Sequence, residues 1–104
     1  MNLIDTGRGV VVFNVFPVRP ENQEALVETI RSAGDASAIP GLLSMNLLRS
    51  EDGTHVINHM CWESREAFER AAASSPEIAA TRDRVGPLLD GPGPYRYEIV
   101  PVGP

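Results

Sequence analysis

The order of short strand-like runs and longer amphipathic stretches restricts this chain to very few folds. Residues 10–17, VVVFNVFP, are β-branched and aromatic and end on a proline, the mark of a first strand. PENQEALVETIRSAG then carries acids in its first turn, Leu26, Ile30 and Ala33 at helical spacing, and Gly34 near its end, which predicts a helix. Pro40-Gly41 punctuates before LLSMNLLR, a second strand. Asp52-Gly53 turns the chain back into HVINHMCW, a third. Ser64 is placed to cap a second helix through Phe68 and the alanines 71–73. Ser75-Pro76-Glu77 repeats the pattern of cap, first-turn proline and acid, so this helix is expected to break there and resume to about Val85. The Gly/Pro-rich GPLLDGPGP leads to a fourth strand, YRYEIVPV.

The resulting order, β-α-β-β-α-β, is that of the ferredoxin-like α+β fold, a split βαβ arrangement. It predicts a four-stranded antiparallel sheet with helices on one face only, strands one and three lying side by side at its centre. The uncovered face calls for a partner, and in a chain of 104 residues, read as one domain over 1–104, a second copy is the expected cover: a homodimer.

Composition narrows the function. At 42% hydrophobic and 22% charged the chain has ordinary globular balance, and a net charge of −5 without a basic cluster argues against nucleic acid and acidic membrane surfaces as partners. The start, MNLIDTGRGV, lacks the pattern of a signal peptide, and the longest apolar run, VVVFNVF, is far short of the roughly 20 residues that span a bilayer. The single cysteine, Cys61, excludes an internal disulfide and fits a reducing compartment; a cytoplasmic location is expected. His55 and His59 stand four apart on a strand, roughly 13 Å, too far to share one metal. Neither a phosphate-binding glycine motif nor a nucleophile with a recognisable base is present, and no metal is expected.

Strand alternation picks out the candidate site. Val12, Asn14 and Phe16 share one face of the first strand; Val56, Asn58, Met60 and Trp62 share one face of the third. A buried carboxamide needs hydrogen-bond partners or costs about 1–3 kcal/mol. Two on one inner face suggest a role in holding a ligand carbonyl or phenol, against the alternative that each satisfies a bulge or edge backbone group. Trp62, a lone tryptophan near a strand end, is more often a core or dimer anchor than a reactive element. On the second helical stretch Ile78, Arg82 and Val85 follow i, i+4, i+7 spacing, which turns Arg82 toward the apolar side and Arg84 away. Such a cation needs an anionic partner, a ligand or a place at the rim. Tyr95 and Tyr97 share a face of the fourth strand, where packing is the default role and a pocket hydroxyl the alternative.

The segments VFNVFPV, IPGLLSMNLLRSEDG and INHMCWESREAFE resemble the antibiotic biosynthesis monooxygenase family, over roughly residues 10–100. The most specific part is the Asn-x-x-x-Trp spacing of Asn58 and Trp62, joined to Asn14. The resemblance implies a dimeric α+β barrel and, as in the family's best-understood members, oxidation of an anthrone-type aromatic polyketide to a quinone by dioxygen without metal or flavin. It assigns the pocket to Asn14, Asn58 and Trp62, with Arg82 matching an arginine of some members. Val12, Phe16, Met45, Met60, Phe68 and Ile78 are expected to contact the substrate. Residues 63–104 contain no histidine, which speaks against the haem-degrading branch, and Phe68 stands where some quinone-forming members carry a polar aromatic. A non-oxidative cyclase or isomerase, and a non-catalytic ligand-binding dimer, are the competing readings.

Overall fold

The computed structural model describes residues 9–32, 36–100 and 102–103. Four strands, β1 (Val10–Pro17), β2 (Leu42–Arg49), β3 (His55–Trp62) and β4 (Tyr95–Glu98), form one antiparallel sheet in the order β2-β3-β1-β4. Helices α1 (Gln23–Ser32), α2 (Arg65–Ser74) and α3 (Pro76–Val85) complete the α+β ferredoxin-like architecture.

Local chemistry sets these elements. Glu24 in the first turn of α1 and Arg31 in its last complement the helix dipole, and Leu26, Val27 and Ile30 bury its inner stripe. The expected contributions of Ala33 and Gly34 to the end of α1 lie outside the described residues. The Ser64 hydroxyl accepts from the Ala67 amide at 3.1 Å, and the Ser75 hydroxyl from the Ile78 amide at 3.3 Å, so the helix divides at Ser75-Pro76 as the sequence pattern requires. Between β2 and β3, Gly53 takes φ 81° and Asp52 accepts from the Thr54 hydroxyl at 2.7 Å and amide at 3.0 Å. The Thr54 hydroxyl, then its amide, hold the Asp52 carboxyl down from 3.8 to about 2.

One boundary differs from expectation: β4 stops at Glu98 instead of running on through VPV. Its ladder to β1 ends at the Val12–Glu98 pair, and Ile99 and Val100 lie outside any strand.

The core lies between sheet and helices in two clusters. Phe16, Val18, Leu26, Val27, Ile30, Val56 and Val85 form one; Val12, Met60, Trp62, Ala67, Phe68 and Ala71 form the other. Among the described residues the opposite sheet face carries no helix. Across it, Leu48, Ile57, Val15 and Tyr95 stand in one cross-strand row and Asn46, His59, Phe13 and Tyr97 in the next. His59 is buried there, its ring centroid 5.1 Å from that of Phe13.

Candidate active site

The two core clusters are separated by a polar level. Along β1 the helix-facing residues run Val12, Asn14, Phe16; along β3 they run Trp62, Met60, Asn58, Val56. Asn14 and Asn58 are direct cross-strand partners, so both interrupt the apolar interior at one height, where each cluster ends. A cavity of about 370 Å³ opens at that height. Its floor is Asn14, Phe16, Asn58 and Met60 from the sheet centre, with Leu42 and Met45 from β2 and Arg96 from β4. Its roof and sides come from Phe68 and Ala72 on α2, from Glu77, Ile78, Thr81, Arg82 and Val85 on α3, and from Ile30 on α1.

A β-bulge shapes one wall. Leu42 and Met45 are three residues apart, which in a regular strand puts them on opposite faces. The register shift between Leu42 and Ser44 removes that conflict: Leu43 turns out to solvent and its two neighbours both reach the cavity.

Asn58 is only 9% exposed, and its carboxamide oxygen is buried without a hydrogen-bond partner. Among the described residues neither Asn14 nor Asn58 makes a side-chain hydrogen bond, so neither is occupied in tying down a bulge or a sheet edge. Unpaired acceptors of this kind are rare in native interiors.

Of the residues singled out in the sequence, Asn14, Asn58, Arg82, Phe16, Met45, Met60, Phe68 and Ile78 line this cavity. Trp62 and Val12 do not. Both alternate onto the helix-facing side, but they sit at the end of the sheet that α2 covers, and Ala67, Phe68 and Ala71 pack directly against them. Trp62 is fully buried, its ring centroid 5.5 Å from that of Phe68, and its indole Nε1 has no partner. It therefore stands behind Phe68 and not at the cavity surface.

Three polar lining residues escaped the sequence reading. Glu77 reads as a helix-start acid, and Thr81 carries no motif. Arg96 lies between the two tyrosines of YRYE; had Tyr95 and Tyr97 been placed on the outer face, where they are half exposed, alternation alone would have turned Arg96 inward. Its guanidinium carbon lies 4.6 Å from the centroid of the Phe68 ring. Cys61 and His59, on the outer sheet face, take no part, and among the described residues no group of histidine, cysteine and carboxylate side chains is placed to hold a metal. No helix among them is long and apolar enough to cross a membrane.

Comparison with known proteins bears on this arrangement. The family model for antibiotic biosynthesis monooxygenase matches residues 9–84. A monooxygenase from the gene ActVA-Orf6 of Streptomyces coelicolor, solved in complex with the ligand nanaomycin D, is 34% identical at TM-score 0.76, over 96% of this chain and 93% of that one. Rv0793 from Mycobacterium tuberculosis is 27% identical at TM-score 0.72, over 91% and 96% of the two chains. SnoaB of Streptomyces nogalater, a cofactor-independent oxygenase, shares the fold at TM-score 0.64 and 21% identity, over 91% and 94%. No curated protein matches the chain in sequence. With the family model covering most of its length and a monooxygenase aligned end to end, the chain belongs to the antibiotic biosynthesis monooxygenase family.

Proposed function

We propose that this protein is a cofactor-independent monooxygenase that converts an anthrone-type phenolic substrate to a quinone with dioxygen. The observation that carries this reading is the pair of unbonded carboxamides, Asn14 and Asn58, in register at the one level where the apolar core gives way to a cavity. At about 370 Å³ the cavity falls within the range of small-ligand sites, roughly 300–1,000 Å³. Its lining is mostly apolar, as a planar aromatic guest requires, and Asn14 and Asn58 bring two carboxamides to it.

The chemistry asks little of the protein. The substrate loses a benzylic proton to give an enolate, which passes one electron to triplet oxygen. Recombination of the radical pair forms a C–O bond, and the resulting peroxide takes up a proton and loses water to leave the carbonyl. One O₂ is consumed, one of its atoms entering the quinone and the other leaving as water. Asn14 and Asn58 supply amide donors to the oxygen on which negative charge develops, and Arg82 offsets that charge. Glu77, whose carboxylate accepts from the Ser75 hydroxyl at 3.1 Å, is the acid of the lining and the proposed proton acceptor. Trp62 is a positioning residue here, acting through Phe68. The ActVA-Orf6 complex with nanaomycin D and the cofactor-independent SnoaB support the reading by likeness.

A second copy of the chain is proposed to cover the outer sheet face, whose central row of Leu48, Ile57, Val15 and Tyr95 is apolar from edge to edge.

The test is oxygen uptake by metal-stripped protein given an anthrone. Quinone should form as oxygen is consumed, Asn58→Ala should lower kcat by about 100-fold or more, the usual effect of losing an oxyanion donor, and Trp62→Phe should lower it less. Unchanged rates in both variants would overturn the roles given to these side chains.

A further inference from the structure

On the outer sheet face, His59 is 4% exposed, although among the described residues no helix lies over that face. It stands in the row that runs Asn46, His59, Phe13 and Tyr97 over β2, β3, β1 and β4. Its ring centroid is 5.1 Å from that of Phe13, and its Nδ1 is 3.5 Å from the Asn46 carboxamide nitrogen. Its Nε2 is buried without a hydrogen-bond partner. A neutral imidazole has one donor and one acceptor, whereas the imidazolium has two donors and a charge. The surroundings of His59 offer a second N–H no acceptor.

The strands also give this face no counter-charge. Arg49, Arg96 and Glu98, the charged residues of β1 to β4, all alternate onto the helix side, where Arg49 pairs with Glu24 of α1 and Glu98 with Arg65 of α2. The titratable side chains left beside His59 on the outer face are His55, Cys61, Tyr95 and Tyr97. A thiol and two phenols gain no charge in acid. His55 is exposed at the hairpin end, roughly 13 Å along the strand, with its Nδ1 2.9 Å from the Thr54 hydroxyl. Within a chain of net charge −5, these strands thus build one face free of carboxylates and basic groups other than the two histidines. Such a face meets its own copy without repulsion at the contact, as an isologous interface requires.

We infer that association of two copies through this face is proton-gated by His59: they join while both rings are neutral and separate when acid charges them. In a single chain the open face lets a protonated ring turn out to water. Between two sheets it cannot, and a buried charge without a counter-ion is costly. Protonation therefore favours the separated chains, with two linked sites per dimer. The overall charge acts the other way, because acid lowers the net −5 and with it the repulsion between copies. The inference rests on the second-copy reading above and adds the acidity at which that assembly fails.

The test is sedimentation equilibrium of the purified full chain over a concentration series at pH 7.5 and 5.5, the range in which histidines ordinarily take up a proton, with far-UV circular dichroism on the same samples. Two linked protons allow the dimer Kd to rise by up to about 100-fold per pH unit. Across this range it should rise about tenfold or more, with the circular dichroism unchanged. His59→Phe, which keeps a ring, and His59→Gln, which keeps a polar group, should each make Kd independent of pH. His55→Gln should leave the response intact. A pH-independent Kd for the unaltered dimer overturns the proposal, whether or not any variant folds. So does a response that survives both His59 substitutions or disappears in His55→Gln, and so does acid unfolding in place of dissociation. A dimer that ignores pH defeats the His59 assignment alone; a monomer at both pH values removes the second-copy reading with it.

Discussion

Replacing Asn58 by leucine should make the protein more stable and stop its chemistry. Asn58 is 9% exposed, its side-chain oxygen lacks a partner, and the apolar clusters of Phe16 and Met60 flank it on the same sheet face. A buried unpaired acceptor costs about 1–3 kcal/mol. Leucine removes that cost, and its extra bulk projects into the existing cavity of about 370 Å³, so overpacking does not offset the gain. The net effect should be about 1–3 kcal/mol of added stability, and for a chain of this size even 1 kcal/mol raises Tm by about 4–8 °C. Thermal unfolding at fixed protein concentration, run beside oxygen uptake with an anthrone, gives both numbers from one preparation. A rise in Tm with loss of turnover is the signature of a polar group kept for function against stability. A fall in Tm would mean that the carboxamide holds the sheet together, and retained turnover would mean that it does not touch the reacting atoms; either refutes the reasoning.

Two further predictions concern the frame around the site. Because the folded-state pKa of Asp52 lies below its unfolded value, its contribution to the β2–β3 hairpin is complete above about 3.8 and is lost as pH falls toward about 2. The Asp52 carboxyl resonance should titrate near 2, and Thr54→Val, which deletes the leading hydrogen bond, should move the midpoint back toward 3.8; an unshifted midpoint in the unaltered protein contradicts the hairpin geometry. On the outer sheet face, Ile57→Glu places a charge at the centre of the apolar row and should halve the mass measured by sedimentation equilibrium. A monomeric mass for the unaltered chain would remove the case for a second copy.

The fold was legible because every strand and helix announces itself locally. VVVFNVFP, LLSMNLLR and HVINHMCW each appear as strands with the bounds their composition marks, and Ser75-Pro76-Glu77 divides the helices where capping chemistry requires. The site was legible to the extent that it follows the two-residue period of β1 and β3 and the helical spacing of Ile78, Arg82 and Val85. What escaped depends on how elements meet. Trp62 has the right face, but the position of α2 over the sheet end, fixed by tertiary packing, makes it core instead of lining. The cavity-side placement of Leu42 beside Met45 needs a bulge that no turn residue signals. Arg96 was hidden by its tyrosine neighbours, because deciding which face of a four-residue edge strand points inward requires the register with Asn14.

The central claim is that the cavity at the Asn14–Asn58 level directs dioxygen onto a bound aromatic carbon. A single-turnover reaction of metal-stripped protein with an anthrone under ¹⁸O₂ tests it most directly. One labelled oxygen atom should appear in the quinone, with rapid formation in the unaltered chain and near-background formation in Asn58→Ala. Label entering from water, or a product that forms equally well without oxygen, would contradict it.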